Sequence, residues 1–154
     1  MAASFAAADA AIAKKTERGP IMAIKSAKVR DYMSGSLVTF RPQTDVLDAM
    51  RQLVHHKIAG APVIDDHGHL VGMLSEFDCL DVVLKAGYHG DPGGPVADLM
   101  ARDVKTVDAD MSIFDLAQLF QQSRLRRYPV LKDNRVVGQI SRRDVLRALL
   151  DLAT

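Results

Sequence analysis

One cysteine, Cys79, stands alone in a chain of 154 residues. A lone thiol excludes an internal disulfide framework and is consistent with a reducing cytoplasm. No apolar run approaches the roughly 20 residues that a membrane-crossing helix needs. No basic residue precedes the Ala-rich stretch near the N-terminus, so a secretory signal is not expected. There is no glycine-rich loop with the lysine of a nucleotide hydrolase, and no Ser/His/Asp set with a common address, so catalysis is not expected. Net charge is also scarce, with 20 Lys and Arg against 19 Asp and Glu. These absences leave a cytoplasmic, non-catalytic protein without a membrane segment as the expectation.

What the chain does contain is repetition. Residues 29–84 overlay residues 96–150 at an offset of 67, which drops to 66 after one deletion in a hairpin. Asp31 falls on Asp98, Met33 on Met100, Thr39 on Thr106, Gly72 on Gly138, Ser75 on Ser141 and Asp78 on Asp144. A repeat of this length is one supersecondary unit copied, and two copies normally bury apolar faces against each other. The expected body is pseudo-two-fold, with function in the cleft where the copies meet. Apolar residues at 48% and charged residues at 25% suit one globular domain with a real core. Charge is uneven between the copies: four bases face eight acids over 29–84, and ten face seven over 96–150. The second copy is therefore the better place for an anion, or the asymmetry serves attraction between the copies.

Each copy reads as β-α-β-β-α, an α/β (α+β) pattern. An extended piece (37–40; 104–107) leads to an amphipathic helix capped by Thr44 or Asp110. The apolar set of that helix is Val46, Leu47, Met50, Leu53 and Val54 in the first copy. In the second it is Ile113, Phe114, Ala117, Leu119 and Phe120. A hairpin follows (61–64 with 70–74; 128–131 with 136–140), and a closing helix spans 76–84 or 142–150. Gly- and Pro-rich residues 85–95 read as the linker. Residues 1–28 lie outside the repeat. Positions 2–13 are compatible with a helix stopped at Gly19-Pro20, and Met22 is a second plausible opening. The first 21 residues are an accessory helix, a free arm or an over-extended start.

The sharpest local pattern is Gly72-Met73-Leu74-Ser75-Glu76-Phe77-Asp78, echoed by Gly138-Gln139-Ile140-Ser141-Arg142-Arg143-Asp144. Both sit where a strand hands over to a helix. Ser at the N-cap with Asp three residues on forms a capping box. The same geometry is a nucleotide site, because a helix start offers N–H groups and partial positive charge. A Ser hydroxyl there reaches phosphate, and a carboxylate one turn in accepts from both ribose hydroxyls.

With these motifs the chain resembles the CBS domain family in its tandem arrangement, often called a Bateman module. The resemblance covers about residues 29–150. It rests on Asp31-Tyr32-Met33 and Asp98-Leu99-Met100, the Thr39 and Thr106 strands, Ala61-Pro62-Val63 and Tyr128-Pro129-Val130, and the two Gly-to-Asp motifs. It implies CBS repeats at 29–84 and 96–150, packed sheet to sheet and commonly dimerising into a flat disc, hence a homodimer. It also implies an adenosyl ligand: AMP, ADP or ATP, sometimes S-adenosylmethionine or a dinucleotide. By resemblance, one site combines Val38, Ile58 and Ala59 with Arg127, Ser141, Arg143 and Asp144. Asp144 takes the ribose, and the serine and arginines take phosphate. The reciprocal site uses Lys105, Leu125 and Arg126 with Ser75, Phe77 and Asp78. There Gly60 stands where the other copy has Arg127, and Phe77 where it has Arg143. Charged nucleotides are thus expected at the first site, and an uncharged adenosyl group or nothing at the second.

Other motifs favour plainer readings. Asp65-Asp66-His67-Gly68-His69 suits a polar hairpin turn better than a metal site. His55-His56 complement a helix C-terminus. Cys79, near a helix start, is either acidified or simply buried. Arg124, Arg126, Arg127, Arg142 and Arg143 offer phosphate contacts to nucleic acid, but only Tyr128 interleaves them, too few aromatics for a single-strand platform. The competing function is an adaptor in which both motifs are merely caps and the basic half docks an acidic partner. On either reading the regulated protein is another, unknown chain.

Overall fold

The computed structural model describes residues 20–90 and 93–153, so the Ala-rich stretch 2–13 lies outside the described residues. In chain order the elements are α1 (Pro20–Ser26), α2 (Val29–Tyr32), α3 (Val46–His56), β1 (Gly60–Ile64), β2 (Leu70–Ser75) and α4 (Glu76–His89). A short 3-10 turn, Val96–Asp98, precedes β3 (Val107–Asp108), α5 (Ile113–Gln122), β4 (Arg127–Lys132), β5 (Arg135–Ser141) and α6 (Arg142–Ala153). This is the mixed α+β fold the sequence leads one to expect. Among the described residues no helix is long and apolar enough to cross a membrane.

The chain forms two compact units, and neither is a single sequence repeat. The first holds residues 20–35, 107–132 and 137–153; the second holds 36–106 and 133–136. The short segment leading each repeat therefore clusters with elements of the other repeat.

In the first unit β3 runs parallel to β4, pairing Val107 with Val130 and Asp108 with Leu131, and β5 completes a three-stranded sheet. Helices α5 and α6 contribute Ile113, Leu116, Phe120 and Ala148 to a core closed by Tyr128, Val130, Ile140 and Val29. Burying a side chain the size of Leu116 or Ile140 contributes about 1.5–3 kcal/mol. The leading segment is tied in by backbone bonds: Val29 N–H donates to Met111 O at 2.9 Å, and Arg30 N–H to Ala109 O at 3.0 Å. Asp110 is the acid of this corner. It meets Arg30 at 2.7 Å and Lys132 at 2.7 Å, and the Lys132 hydrogen bond is the main cause holding its pKa below the usual value.

In the second unit β1 and β2 are antiparallel, from Gly60 opposite Ser75 to Ile64 opposite Leu70. The core combines Phe40, Val46, Ala49, Leu53, Val63, Leu74 and Val82 with Val96 and Met100 from beyond the linker. The 133–136 turn belongs here through the bridge from Arg135 to His69.

Several local expectations are corrected. The N-caps are Asp45 and Ser112, not Thr44 and Asp110. Thr44 Oγ1 instead accepts from Arg41 N–H at 3.0 Å, turning the chain after Phe40. The first extended piece is consequently reduced to one parallel bridge, Phe40 to Val63, and its counterpart is β3, which begins only at Val107. The buried helix stripes are Val46/Ala49/Leu53 and Ile113/Leu116/Phe120. Val54 is 78% exposed and Phe114 38% exposed, because the apolar sector of each helix is wider than the face its unit covers. Helix α4 also continues past Lys85 to His89 and ends at Gly90 with φ 76°, so the linker begins later than its composition suggests.

Candidate functional site

Both Gly-to-Asp motifs fold as the strand-to-helix junctions that the pattern implies. In the second unit Ser75 ends β2 and caps α4. Its Oγ accepts from Asp78 N–H at 3.2 Å and donates to Asp78 Oδ2 at 2.9 Å, while Ser75 N–H donates to the same carboxylate oxygen at 2.9 Å. In the first unit Ser141 and Asp144 repeat the arrangement at 2.9, 3.1 and 3.2 Å. Reciprocal capping of this kind stabilises a helix start by satisfying donors that lack intrahelical partners. The first helical N–H is satisfied as well: Glu76 N–H donates to Ala59 O at 2.8 Å, and Arg142 N–H to Arg126 O at 3.1 Å. Three of the first four N–H groups at each junction are thus already engaged. Side chains must supply the rest of an anion's contacts.

The glycine of each motif has a different task. A Cβ on Gly72 would lie 2.8 Å from Met100 Cγ and 2.9 Å from Ala101 O; on Gly138 it would lie 2.7 Å from both Met33 Sδ and Ser34 O. These glycines let a leading segment dock on the hairpin through two-way bridges, Met73 with Ala101 and Ser34 with Gln139. Gly60 is constrained too, since a Cβ there would be 2.9 Å from Leu74 O. The missing basic residue at Gly60 thus has a steric reason.

The implied ligand residues fall into two sets. In the second unit Ala59 is exposed and adjoins the Ser75–Asp78 cap through its carbonyl, Val38 and Ile58 are partly buried against the core, and Lys105 is exposed. In the first unit Leu125, Arg126, Arg127 and Arg143 are exposed and Asp144 is half-buried. Two arginines outside the expected adenosyl-ligand set organise it. Arg142 Nε donates to Leu125 O at 2.9 Å and pins the 124–127 loop to the start of α6. Arg147 reaches Tyr32 O at 2.9 Å and Asp144 Oδ1 at 3.2 Å. Both had a sequence signal, a charge reversal between the copies, since Arg142 aligns with Glu76 and Arg147 with Asp81.

Three further residues are placed by the structure. Tyr128 is buried, its hydroxyl hydrogen-bonded to Ser123 at 2.8 Å, so its ring offers no stacking face. Cys79 is buried, and burial first, then the Asp78 and Glu76 carboxylates, push its pKa above the usual value. The acidified reading of that thiol is overturned. Asp65 accepts from His67 N–H and His69 N–H, both at 2.9 Å, which folds the hairpin tip; the His69 bond is the main cause lowering its pKa.

Comparison with known proteins now places the chain. It matches the CBS domain family over residues 29–85 and 96–151, and it belongs to that family. It is 29% identical to an uncharacterized 17.7 kDa protein of Acidianus ambivalens over 84% of this chain and 77% of that protein. Among solved structures it resembles CBSX2 of Arabidopsis thaliana in complex with AMP, at 33% identity, TM-score 0.71, 83% of this chain and 99% of that one. It also resembles the CBS domain pair of MJ0100 in complex with 5'-methylthioadenosine and S-adenosyl-L-methionine, at 26% identity, TM-score 0.63, 81% of this chain and 97% of that one. The chain spans 48%, 33% and 14% of three longer curated relatives.

Proposed function

We propose that the chain is a regulatory module whose CBS repeats bind an adenine nucleotide (AMP, ADP or ATP) or S-adenosylmethionine and report occupancy through shape or assembly. The observation that carries this reading is the duplicated Ser–Asp junction. Asp144 commits Oδ2 to its cap and meets Arg147 through Oδ1 at 3.2 Å, and its carboxylate, with about four lone-pair sites, retains room on Oδ1 for a ribose hydroxyl. Two relatives solved with adenosyl ligands support the ligand class. In the first unit Asp144 takes ribose, and Ser141, Arg127 and Arg143 take phosphate; Leu125 and Arg126 lie in the neighbouring loop. In the second unit Val38, Ile58 and Ala59 are the proposed adenine contacts, while Ser75, Asp78 and Lys105 belong to the reciprocal set with Leu125 and Arg126. A ligand shifts such a module only through unequal affinity for its alternative arrangements.

Assembly is proposed to be a homodimer. Helix α4 exposes Phe77 (81%), Leu80 (58%), Leu84 (62%) and Tyr88 (84%) at helical spacing, a stripe that a second copy would cover.

The test is thermal shift and calorimetry on the full chain with AMP, ADP, ATP and S-adenosylmethionine. At a hundredfold excess over Kd, ligand should stabilise the protein by about 2.7 kcal/mol. Asp144→Ala should abolish this response, while its lost cap contributes only about 0.5–2 kcal/mol of destabilisation. Asp144→Asn, which retains an acceptor for the cap, separates the two effects. Undiminished affinity in Asp144→Ala refutes the assignment. The adaptor reading has its own support, since in both motifs Ser and Asp close a full reciprocal cap on each other. It requires no thermal response to any adenosyl compound.

A further inference from the structure

We infer that Arg147 is a positioning residue that couples the ribose site of the first unit to its leading segment. A ligand with both ribose hydroxyls draws Arg147 off Asp144 and loosens the chain at Tyr32. The inference rests on the nucleotide-binding reading above and adds how occupancy is reported. Arg147 Nη2 donates to Tyr32 O at 2.9 Å, and the same nitrogen stands 3.2 Å from Asp144 Oδ1. One side chain on α6 therefore holds both the end of α2 and the carboxylate assigned to ribose. Beyond Tyr32 the segment is seated on the hairpin by Met33 against Gly138, and by the two Ser34–Gln139 backbone bonds at 2.9 and 3.0 Å. The counterpart of Arg147 in the second unit is Asp81, which pairs with Lys85 at 2.9 Å. A carboxylate has no proton to donate to a carbonyl, so the device belongs to the first unit alone.

The acceptor capacity of Asp144 sets the competition. An ionised carboxylate has about four lone-pair sites. Ser141 N–H and Ser141 Oγ take the two on Oδ2, at 2.9 and 3.1 Å. Arg147 faces Oδ1, which leaves room there for one hydroxyl but not for two. A cis-diol donates two hydrogen bonds, so its second hydroxyl needs the place that Arg147 holds. Arg147 is the partner that yields, because its side chain is 58% exposed whereas the Ser141 bonds close the helix cap. An exposed ion pair is worth less than a hydrogen bond to a half-buried carboxylate. Without its carboxylate anchor the exposed guanidinium regains rotamer freedom, and its hold on Tyr32 O weakens. Linkage makes the effect reciprocal, so removing Arg147 favours the diol.

The experiment is amide hydrogen exchange on the full chain, free and saturated with AMP, 2'-deoxy-AMP, ATP or 2'-deoxy-ATP, with calorimetry on each. The reporters are Met33 N–H, bonded to Val29 O, and Ser34 N–H, bonded to Gln139 O. AMP or ATP should speed exchange at both by about threefold, the scale of one exposed ion pair, because exchange follows local opening. The deoxy forms should bind and leave both amides unchanged. In Arg147→Gln the two amides should exchange fast without ligand and respond no further. Its preference for a ribose nucleotide over the deoxy partner should also rise about threefold. The phosphates are the same within each pair, so their contacts cancel from that ratio. Equal acceleration by a nucleotide and its deoxy partner, or none by either, overturns the inference, while the measured binding leaves the nucleotide reading standing. An unchanged preference in Arg147→Gln overturns it too. Binding of none of the four removes the inference and leaves S-adenosylmethionine as the remaining ligand of the nucleotide reading.

Discussion

Replacing Gly138 with alanine tests the packing that organises the first unit. The new Cβ would lie 2.7 Å from Met33 Sδ and 2.7 Å from Ser34 O. The sulfur is the far part of a flexible side chain and can swing aside. The carbonyl cannot move freely, because it accepts from Gln139 N–H at 3.0 Å while Ser34 N–H donates to Gln139 O at 2.9 Å. The leading segment must therefore lift by several tenths of an ångström, and both bonds stretch with it. Overpacking of one methyl costs about 1–3 kcal/mol, and each weakened backbone bond costs up to about 1 kcal/mol more. Urea denaturation of Gly138→Ala should show a loss of about 2–4 kcal/mol. Gly35→Ala is the control, since the nearest atom to its Cβ is Val137 O at 3.9 Å, and it should stay within about 0.5 kcal/mol. Adding Met33→Ala to Gly138→Ala should recover little, because the carbonyl contact remains. If Gly138→Ala is as stable as Gly35→Ala and keeps the Ser34 and Gln139 amides protected from exchange, the close-approach argument is wrong.

Leu84→Glu on the exposed stripe of α4 should raise the dimer dissociation constant at least tenfold without unfolding the chain, measured by sedimentation equilibrium; an unchanged constant moves the interface elsewhere. Cys79 has a raised pKa, so at pH 8 it holds less thiolate in the folded than in the unfolded chain. Alkylation of the native protein at that pH should be at least about tenfold slower than in urea, because only thiolate reacts and burial blocks access; equal rates would contradict the burial. A fragment of residues 29–84 should fail to unfold cooperatively by circular dichroism, since it lacks Val96 and Met100, which are 0% and 8% exposed in the second unit's core. A fragment extended to residue 106 should recover part of that cooperativity, and a sharp transition in the shorter one would refute the dependence.

Legibility in the sequence followed the range of each interaction. The hairpins and the starts of α4 and α6 were readable because their causes are local. Ser–x–x–Asp caps itself, and Asp133-Asn134, with φ of 50° and 65°, makes the two-residue turn that such residues favour. The phases of α3 and α5 were not readable, because their apolar sectors admit more than one buried face and a tertiary partner makes the choice. Gly72 and Gly138 mark the limit most clearly. From sequence they belong to a ligand motif, and only the close approach of Met100 and Met33 shows that they seat a leading segment. Those contacts explain why a duplicated sequence does not give two independent bodies: each hairpin presents a glycine surface that its own leading segment leaves uncovered. The candidate site divides the same way. Ser141 and Asp144 announce themselves through their spacing, whereas the work of Arg142 depends on a carbonyl 17 residues earlier, a partner that no helix or strand period points to. The residues that position a CBS ligand site are thus harder to find from sequence than those that would touch the ligand.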